Sequence, residues 1–167
     1  GFIGAIHETP DISKCRTTLS KVGKVHHKAG VKPGRIERNT SILEAEFSRN
    51  PNDLRTVFYL ANSYKDAGRY AEAISKYNRY IAKGGNFHDE LVLAHFFISN
   101  CYYCMGQYAE AIRWSFRGLC VDDRYAEFYC RIGESYMALG DFKKAIPYFE
   151  LALTLPGLPP TVLWTHD

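Results

Sequence analysis

The sequence has no strong excess of either charge and no long apolar segment. Its formal net charge is +3, with acidic and basic side chains interspersed along 167 residues. Nucleic acids and anionic membranes attract concentrated basic surfaces, so this composition argues against both as partners. No apolar run approaches membrane-spanning length, and no signal peptide opens the chain. The 46% of hydrophobic residues is enough for one domain-sized core.

Methionine is scarce, and the cysteines do not form a recognisable disulfide pattern. The five cysteines are odd in number and lack the spacing of a disulfide framework, which predicts reduced thiols and a cytoplasmic location. The only methionines are Met105 and Met137, and the first residue is Gly1. We therefore expect the chain to be part of a longer protein.

Three segments of the sequence repeat one pattern. Each contains Gly-x-aromatic-x-x-Ala-Ile, beginning at Gly68, Gly106 and Gly140. A tyrosine stands four residues before each glycine, and a small residue stands three further back. The shared positions are Tyr64, Tyr102 and Tyr136, then Ala61, Ser99 and Gly133, and after the glycines Ala73, Ala111 and Ala145. Such recurrence indicates one structural unit used three times.

The physical chemistry of this unit predicts a helical hairpin. Leu60 and Tyr64 are four residues apart, so they share one stripe of a first helix. Gly68 ends that helix, because glycine adopts the left-handed conformation at little cost. Ala73 lets the second helix approach the first closely, and Ile74 begins its apolar face. One hairpin cannot bury both faces, so neighbouring hairpins must stack.

The pattern resembles the tetratricopeptide repeat, whose period is about 34 residues. The resemblance implies an all-α superhelix of about three hairpins, at residues 54–87, 92–125 and 126–155, preceded by a half-repeat at 40–50 and followed by an extended tail at 156–167. Ser41 and Glu44 form a capping box that predicts where the half-repeat begins. Extra residues in the first interval depart from the period, and Ser115 and Gly118 predict looser packing of the second hairpin.

Residues 1–39 do not follow the repeat. The segment from Gly1 to Glu8 is short and apolar, and residues 21–26 alternate, so both predict β-strands. Two strands do not form a stable sheet alone. We interpret residues 1–39 as a small β and irregular segment that is the remnant of a preceding α/β domain.

A second resemblance covers nearly the whole chain. The order Gly-x-Ile-His-Glu, Val-His-His-Lys-x-Gly and Arg-Asn-x-x-x-Leu-Glu, followed by the repeats, is similar to family 2 glycosyltransferases that carry tetratricopeptide tails. The resemblance implies that the parent protein binds a nucleotide sugar with Mg²⁺ or Mn²⁺. It also implies that His7 matches a metal-holding histidine, with Glu8, His26 and His27 nearby.

The residues themselves do not supply that chemistry. A hard divalent cation prefers carboxylate ligands, and the chain contains no Asp-x-Asp. Adjacent His26 and His27 on a strand would point to opposite faces. We therefore expect no catalysis and no cofactor in this chain alone, and restrict the metal role of His7 to the parent enzyme.

A Cys-x-x-Cys motif, Cys101 to Cys104, lies late in a predicted helix. A redox motif favours a helix N-terminus, and a zinc site needs a second pair, which Cys15, Cys120 and Cys130 do not form. We interpret these cysteines as packing residues.

The first helix of each hairpin is predicted to line a concave groove. By register, the candidate binding residues are Phe58, Asn62, Lys65, Phe96, Asn100, Tyr103, Arg131 and Glu134. Their mixture of apolar and polar side chains fits an amphipathic or extended peptide better than an acidic tail.

Three functional hypotheses remain open from the sequence. The first is a non-catalytic module that binds a protein, a peptide or a glycan acceptor in the groove. The second is the acceptor-side part of a metal-dependent glycosyltransferase, with His7 and Glu8 at its metal. The third is a structural repeat that self-associates through uncovered ends.

Overall fold

The computed structural model describes residues 34–85 and 87–155, together with the backbone of residues 2–3 and 9–10. Strand β1 (Phe2–Ile3) pairs antiparallel with β2 (Thr9–Pro10). The expected strand at residues 21–26 lies outside the described residues, as do the side chains of His7, Glu8, His26 and His27.

The rest of the described chain is helical, which confirms the predicted all-α repeat fold. In order, its helices are α1 (Arg35–Arg49), α2 (Leu54–Asp66), α3 (Tyr70–Ala82), α4 (His88–Cys104), α5 (Tyr108–Val121), α6 (Ala126–Ala138) and α7 (Phe142–Thr154).

Helix α1 begins earlier than the sequence predicted. It starts at Arg35, so residues 35–39 belong to the helical stack rather than to the segment preceding it. The Ser41 hydroxyl donates to the Glu37 carbonyl at 3.0 Å, inside the helix, so the capping-box interpretation is wrong. Gly34, with φ of 76°, precedes the first turn instead. A serine bonded to the carbonyl four residues back is compatible with a helix interior.

The helices form two layers. Helices α2, α4 and α6 contact one another in sequence and form the inner layer. Helices α3, α5 and α7 form the outer layer, each packed on the inner helix before it, with α3 and α5 also packed on the inner helix after it. Helix α1 packs on α2 as α3 packs on α4, so it takes the place of an outer helix.

The repeated glycines end the inner helices as predicted. Gly68, Gly106 and Gly140 have φ values of 73°, 73° and 79°. Each lies in a Schellman motif, in which the amide after the glycine donates to the carbonyl of Tyr64, Tyr102 or Tyr136. The three tyrosines therefore have equivalent roles at the three turns.

The second hairpin packs closely, contrary to the looser packing expected from Ser115 and Gly118. A Cβ atom at Gly118 would lie 2.1 Å from Cζ of Phe128, so only glycine lets the α6 ring approach α5. Ser115 is fully buried, 2.8 Å from the hydroxyl of Ser99, which in turn donates to the Ala111 carbonyl at 2.7 Å. Ser115 therefore brings α4 and α5 together, and Gly118 brings α5 and α6 together.

The extra residues of the first interval extend helix α4. It begins at His88, whereas residue 92 was predicted to open the repeat. In the added turn, the Tyr80 hydroxyl donates to Glu90 at 2.6 Å, and the Tyr125 hydroxyl donates to Asp89 at 3.3 Å. The insertion thus joins α4 to the end of α3 and to the start of α6.

Candidate functional site

A row of aromatic and cationic side chains crosses the inner layer. It is built by residues from α2, α4 and α6, which the Schellman turns and the stacking place side by side. Its members are Lys65 of α2, Phe96, Phe97 and Tyr103 of α4, and Arg131 of α6; we call this set the inner row.

Lys65 joins the first and second inner helices. Its ammonium nitrogen lies 4.9 Å from the centroid of the Phe97 ring, within cation–π range. The same nitrogen is 2.6 Å from a carboxylate oxygen of Asp66. Phe97 also packs against Tyr77, with ring centroids 5.8 Å apart. The Lys65 charge is therefore partly neutralised and held over an apolar surface.

Arg131 joins the second and third inner helices. Its guanidinium carbon lies 4.3 Å from the centroid of Tyr103 and 5.9 Å from that of Phe96. One terminal nitrogen is 2.8 Å from a carboxylate oxygen of Glu134, and the Arg131 side chain is only 15% exposed. A guanidinium stacked on rings and paired with a carboxylate has a fixed orientation.

Two buried polar atoms, one on Arg131 and one on Glu127, have no hydrogen-bond partner among the described residues. Within the described part of the chain, Arg131 Nε and Glu127 Oε2 are both buried and have no hydrogen bond. An unsatisfied buried donor or acceptor costs about 1–3 kcal/mol. The two residues are four positions apart on α6, so this helix carries an unmet donor and an unmet acceptor on neighbouring turns.

Asn62 is oriented by a residue that the sequence did not connect to it. The Tyr77 hydroxyl, on a fully buried side chain, donates to Asn62 Oδ1 at 2.6 Å. This bond leaves the Asn62 amide nitrogen as the group available to a ligand. In an Asn62→Ala variant the Tyr77 phenol would lose this partner, so we expect such a variant to lose stability.

Asn100 occupies the position of Asn62 on the next inner helix. Its side chain has a weak hydrogen bond with Cys104, whose sulfur lies 3.8 Å from Asn100 Oδ1. The two asparagines stand in the same register before Gly68 and Gly106. Glu134 holds this register before Gly140, but its carboxylate is engaged by Arg131.

Phe58 is not available for binding, which contradicts its place among the groove candidates. It is 3% exposed, and its ring packs against Tyr77 and Tyr80 at centroid distances of 6.0 and 5.1 Å. It belongs to the core shared by α2 and α3.

A polar cluster at the added turn of α4 was missed by sequence reasoning. Asp122 accepts hydrogen bonds from the Arg124 guanidinium at 2.7 and 2.9 Å and from His88 Nε2 at 3.0 Å. These bonds, chiefly those from Arg124, hold the pKa of Asp122 well below its usual range. Because the folded-state pKa is lowered, the stabilisation is present above pH ~4 and is lost as the pH falls further. The only sign of this cluster in the sequence was the insertion of extra residues in the first repeat interval.

The cysteines described by the structure are free thiols, namely Cys101, Cys104, Cys120 and Cys130. Cys101 is fully buried, and burial raises its pKa to about 12. A thiol with so high a pKa is a poor nucleophile, which agrees with a packing role.

No group of three or more His, Cys, Asp or Glu side chains in the described ranges could hold a metal ion. His7, the residue matched to a metal ligand by resemblance, has no described side chain. Among the helices described here, none is both long and apolar enough to cross a membrane.

Comparison with known families identifies two of the three hairpins. Tetratricopeptide-repeat family models match residues 56–83 and residues 126–155. These ranges fall on α2–α3 and α6–α7, and α4–α5 lies between them with the same layer arrangement. The chain therefore contains tetratricopeptide repeats. No curated protein sequence matches the chain.

Solved structures share the fold. The structure described as "MamA MSR-1 C2" is 21% identical and aligns over 72% of this chain and 67% of its own, with a TM-score of 0.63. One described as "Crystal structure of MamA" is 20% identical over 73% and 69%, with a TM-score of 0.64. MamA 41-end from Desulfovibrio magneticus RS-1 is 15% identical over 73% and 67%, also with a TM-score of 0.64. At these identities the likeness shows the fold alone.

Proposed function

We propose that the chain binds an extended or amphipathic segment of a protein on the inner row and its flanking asparagines. The observation that carries this proposal is the row itself, because it presents apolar rings and fixed charges side by side across three helices. Tetratricopeptide repeats bind proteins in general, and a rigid surface of this composition suits an amphipathic peptide.

The spacing of the polar groups supports an extended ligand. Asn62 and Asn100 have the same register on neighbouring inner helices, which pack about 10 Å apart. About three residues of extended chain cover that distance. Each amide nitrogen would then meet a main-chain carbonyl of the ligand.

A library of random peptides displayed on phage tests this proposal. Peptides selected on the full chain are measured against the variants Asn62→Asp and Asn100→Ala. Asn62→Asp removes the amide donor but keeps an acceptor for Tyr77, so the fold is preserved. We expect the double variant to bind at least about ten-fold more weakly, the equivalent of ~1.4 kcal/mol.

The matched control is Asn78→Ala, because Asn78 is an exposed asparagine on outer helix α3. It should bind the selected peptides with unchanged affinity, and all variants should unfold near the temperature of the parent chain. Equal affinity of the double variant and the parent would refute the proposal, as would a selection that yields no peptide.

We further propose that this repeat module is joined to a family 2 glycosyltransferase domain, in which the same surface would position a protein or glycan acceptor. The support is the sequence resemblance across residues 4–44 and the repeats. Sequencing the coding region upstream of Gly1 tests it. An Asp-x-Asp in an α/β domain is expected, and a coding region without one would reject the link and leave the peptide-binding proposal intact.

A further inference from the structure

Exposed apolar side chains are concentrated at one end of the stack. Six of the eight large apolar residues that the described chain exposes lie on or beside the last hairpin. They are Met137, Leu139, Phe142, Ile146, Leu151 and Leu153. A cluster of this kind marks a surface that another element covers.

The repeat register shows which of these residues should be covered. Ile146 occupies the position of Ile74 and Ile112, each 8% exposed, yet Ile146 is 55% exposed. Leu153, at 87% exposed, occupies the position of Ile81 and Leu119, which are partly buried. In the first two hairpins the next inner helix covers this stripe. On α7 the stripe is formed by Phe142, Ile146 and Leu153, and it has no described cover.

The other end of the stack does not match the α7 stripe. Helix α1 exposes polar and charged residues, among them Arg35, Glu37, Arg38 and Ser41. Packing α1 of a second copy on the stripe would bury these charges against apolar side chains, which is costly. Head-to-tail association of copies is therefore disfavoured.

We propose that residues 156–167 of the same chain fold back and cover the α7 stripe. This segment follows α7 directly and contains Leu158, Val162, Leu163 and Trp164. Its prolines favour an extended chain, and twelve extended residues reach about 40 Å, whereas α7 is about 20 Å long. Because this segment is attached to α7, its effective concentration near the stripe is higher than that of a separate partner, which favours its binding.

Trp164 reports the contact. The chain has two tryptophans, and the emission of Trp164 is obtained by subtracting the spectrum of the Trp164→Phe variant, which leaves Trp114 in place. We expect Trp164 to emit at shorter wavelength than tryptophan in water and to resist acrylamide quenching at every protein concentration. The double variant Ile146→Asp, Leu153→Asp should shift this emission to the red and raise quenching about two-fold or more, since a buried ring becomes exposed.

The control is Phe87→Asp, which places the same charge at an exposed aromatic outside the last hairpin. Far-UV circular dichroism tests whether each variant stays helical. We expect that it does, because Leu153 is highly exposed and an aspartate there meets solvent. Three results would overturn the proposal: a solvent-like Trp164 in the parent chain, an emission that the double variant leaves unchanged, or protection that appears only as concentration and sedimenting mass rise together. The last result would assign the stripe to a second copy.

Discussion

The first and last hairpins share one local design but differ in what covers them. Both α2 and α6 end in a Schellman turn, at Gly68 and Gly140, with nearly identical φ values. Yet α3 buries Ala73, Ile74, Tyr77 and Tyr80, and α7 buries only Ala145. The comparison separates two sources of order: the turn comes from local sequence, and burial comes from the neighbouring hairpin.

The largest expected difference between the two hairpins comes from equivalent core truncations. Ile74→Ala removes a side chain packed between hairpins and should lower the free energy of unfolding by about 2–5 kcal/mol. Ile146→Ala should cost about 1 kcal/mol or less, because the Ile146 side chain is 55% exposed in the described part of the structure. Chemical denaturation of both variants measures the difference. Equal costs would show that the last hairpin is as well covered as the first.

A smaller loss of stability is expected when alanine replaces a glycine that packs against an aromatic ring. Gly118→Ala places a methyl 2.1 Å from the Phe128 ring, which is 1% exposed and cannot yield, so we expect about 1–3 kcal/mol of destabilisation. Gly133→Ala places its methyl 2.8 Å from Phe149, a half-buried ring of the last hairpin that can shift. Thermal unfolding should show the smaller loss for Gly133→Ala; the reverse order would contradict the packing described for α5 and α6.

The Schellman turns of the first and last hairpins should lose equal stability when their glycine is replaced. Gly68→Ala and Gly140→Ala each force a left-handed conformation on a residue with a Cβ atom, although neither methyl would clash. The expected loss is about 1–2 kcal/mol in each variant. Unequal losses in urea denaturation would mean that the turns depend on tertiary context as well as on local conformation.

The smallest effect is a pH dependence from His95 on α4. Burial lowers the pKa of His95, which donates from Nδ1 to the Leu91 carbonyl at 2.8 Å and packs against Trp114 near Arg117. The unfolded chain therefore binds this proton first, and stability should fall as the pH drops below ~6.5 towards the lowered folded-state pKa. His95→Gln should show a flatter profile of unfolding free energy across that window. A profile identical to that of the parent would exclude His95 as the cause.

Much of the fold could be predicted from the sequence because the repeat is local. The glycines, the tyrosines before them and the alanines after them specify turns and helix crossings without long-range information. The start of α1 could not be predicted, because Ser41 has two competing uses and only the structure shows its bond to Glu37. Gly118 was misinterpreted for a similar reason, since its role depends on the position of Phe128 on the next helix.

The candidate site was predictable in outline only. Register placed Lys65, Asn100 and Arg131 on the inner layer, where the structure has them. It also placed Phe58 there, although that ring turns towards α3. The stacking of Arg131 on Tyr103 joins two repeats, so no single repeat encodes it. The bond from Tyr77 to Asn62 joins the two helices of one repeat, but it depends on side-chain orientation, which helical register alone does not specify.

Residue-resolved amide hydrogen exchange tests the stacking of the hairpins most directly. If burial by neighbours holds each hairpin, the amides of α3 and α5 should exchange near the rate of global unfolding, and those of α7 distinctly faster. Uniform protection from α2 to α7 would contradict this, because it would mean that the stability comes from one cooperative unit rather than from the packing of each hairpin against the next.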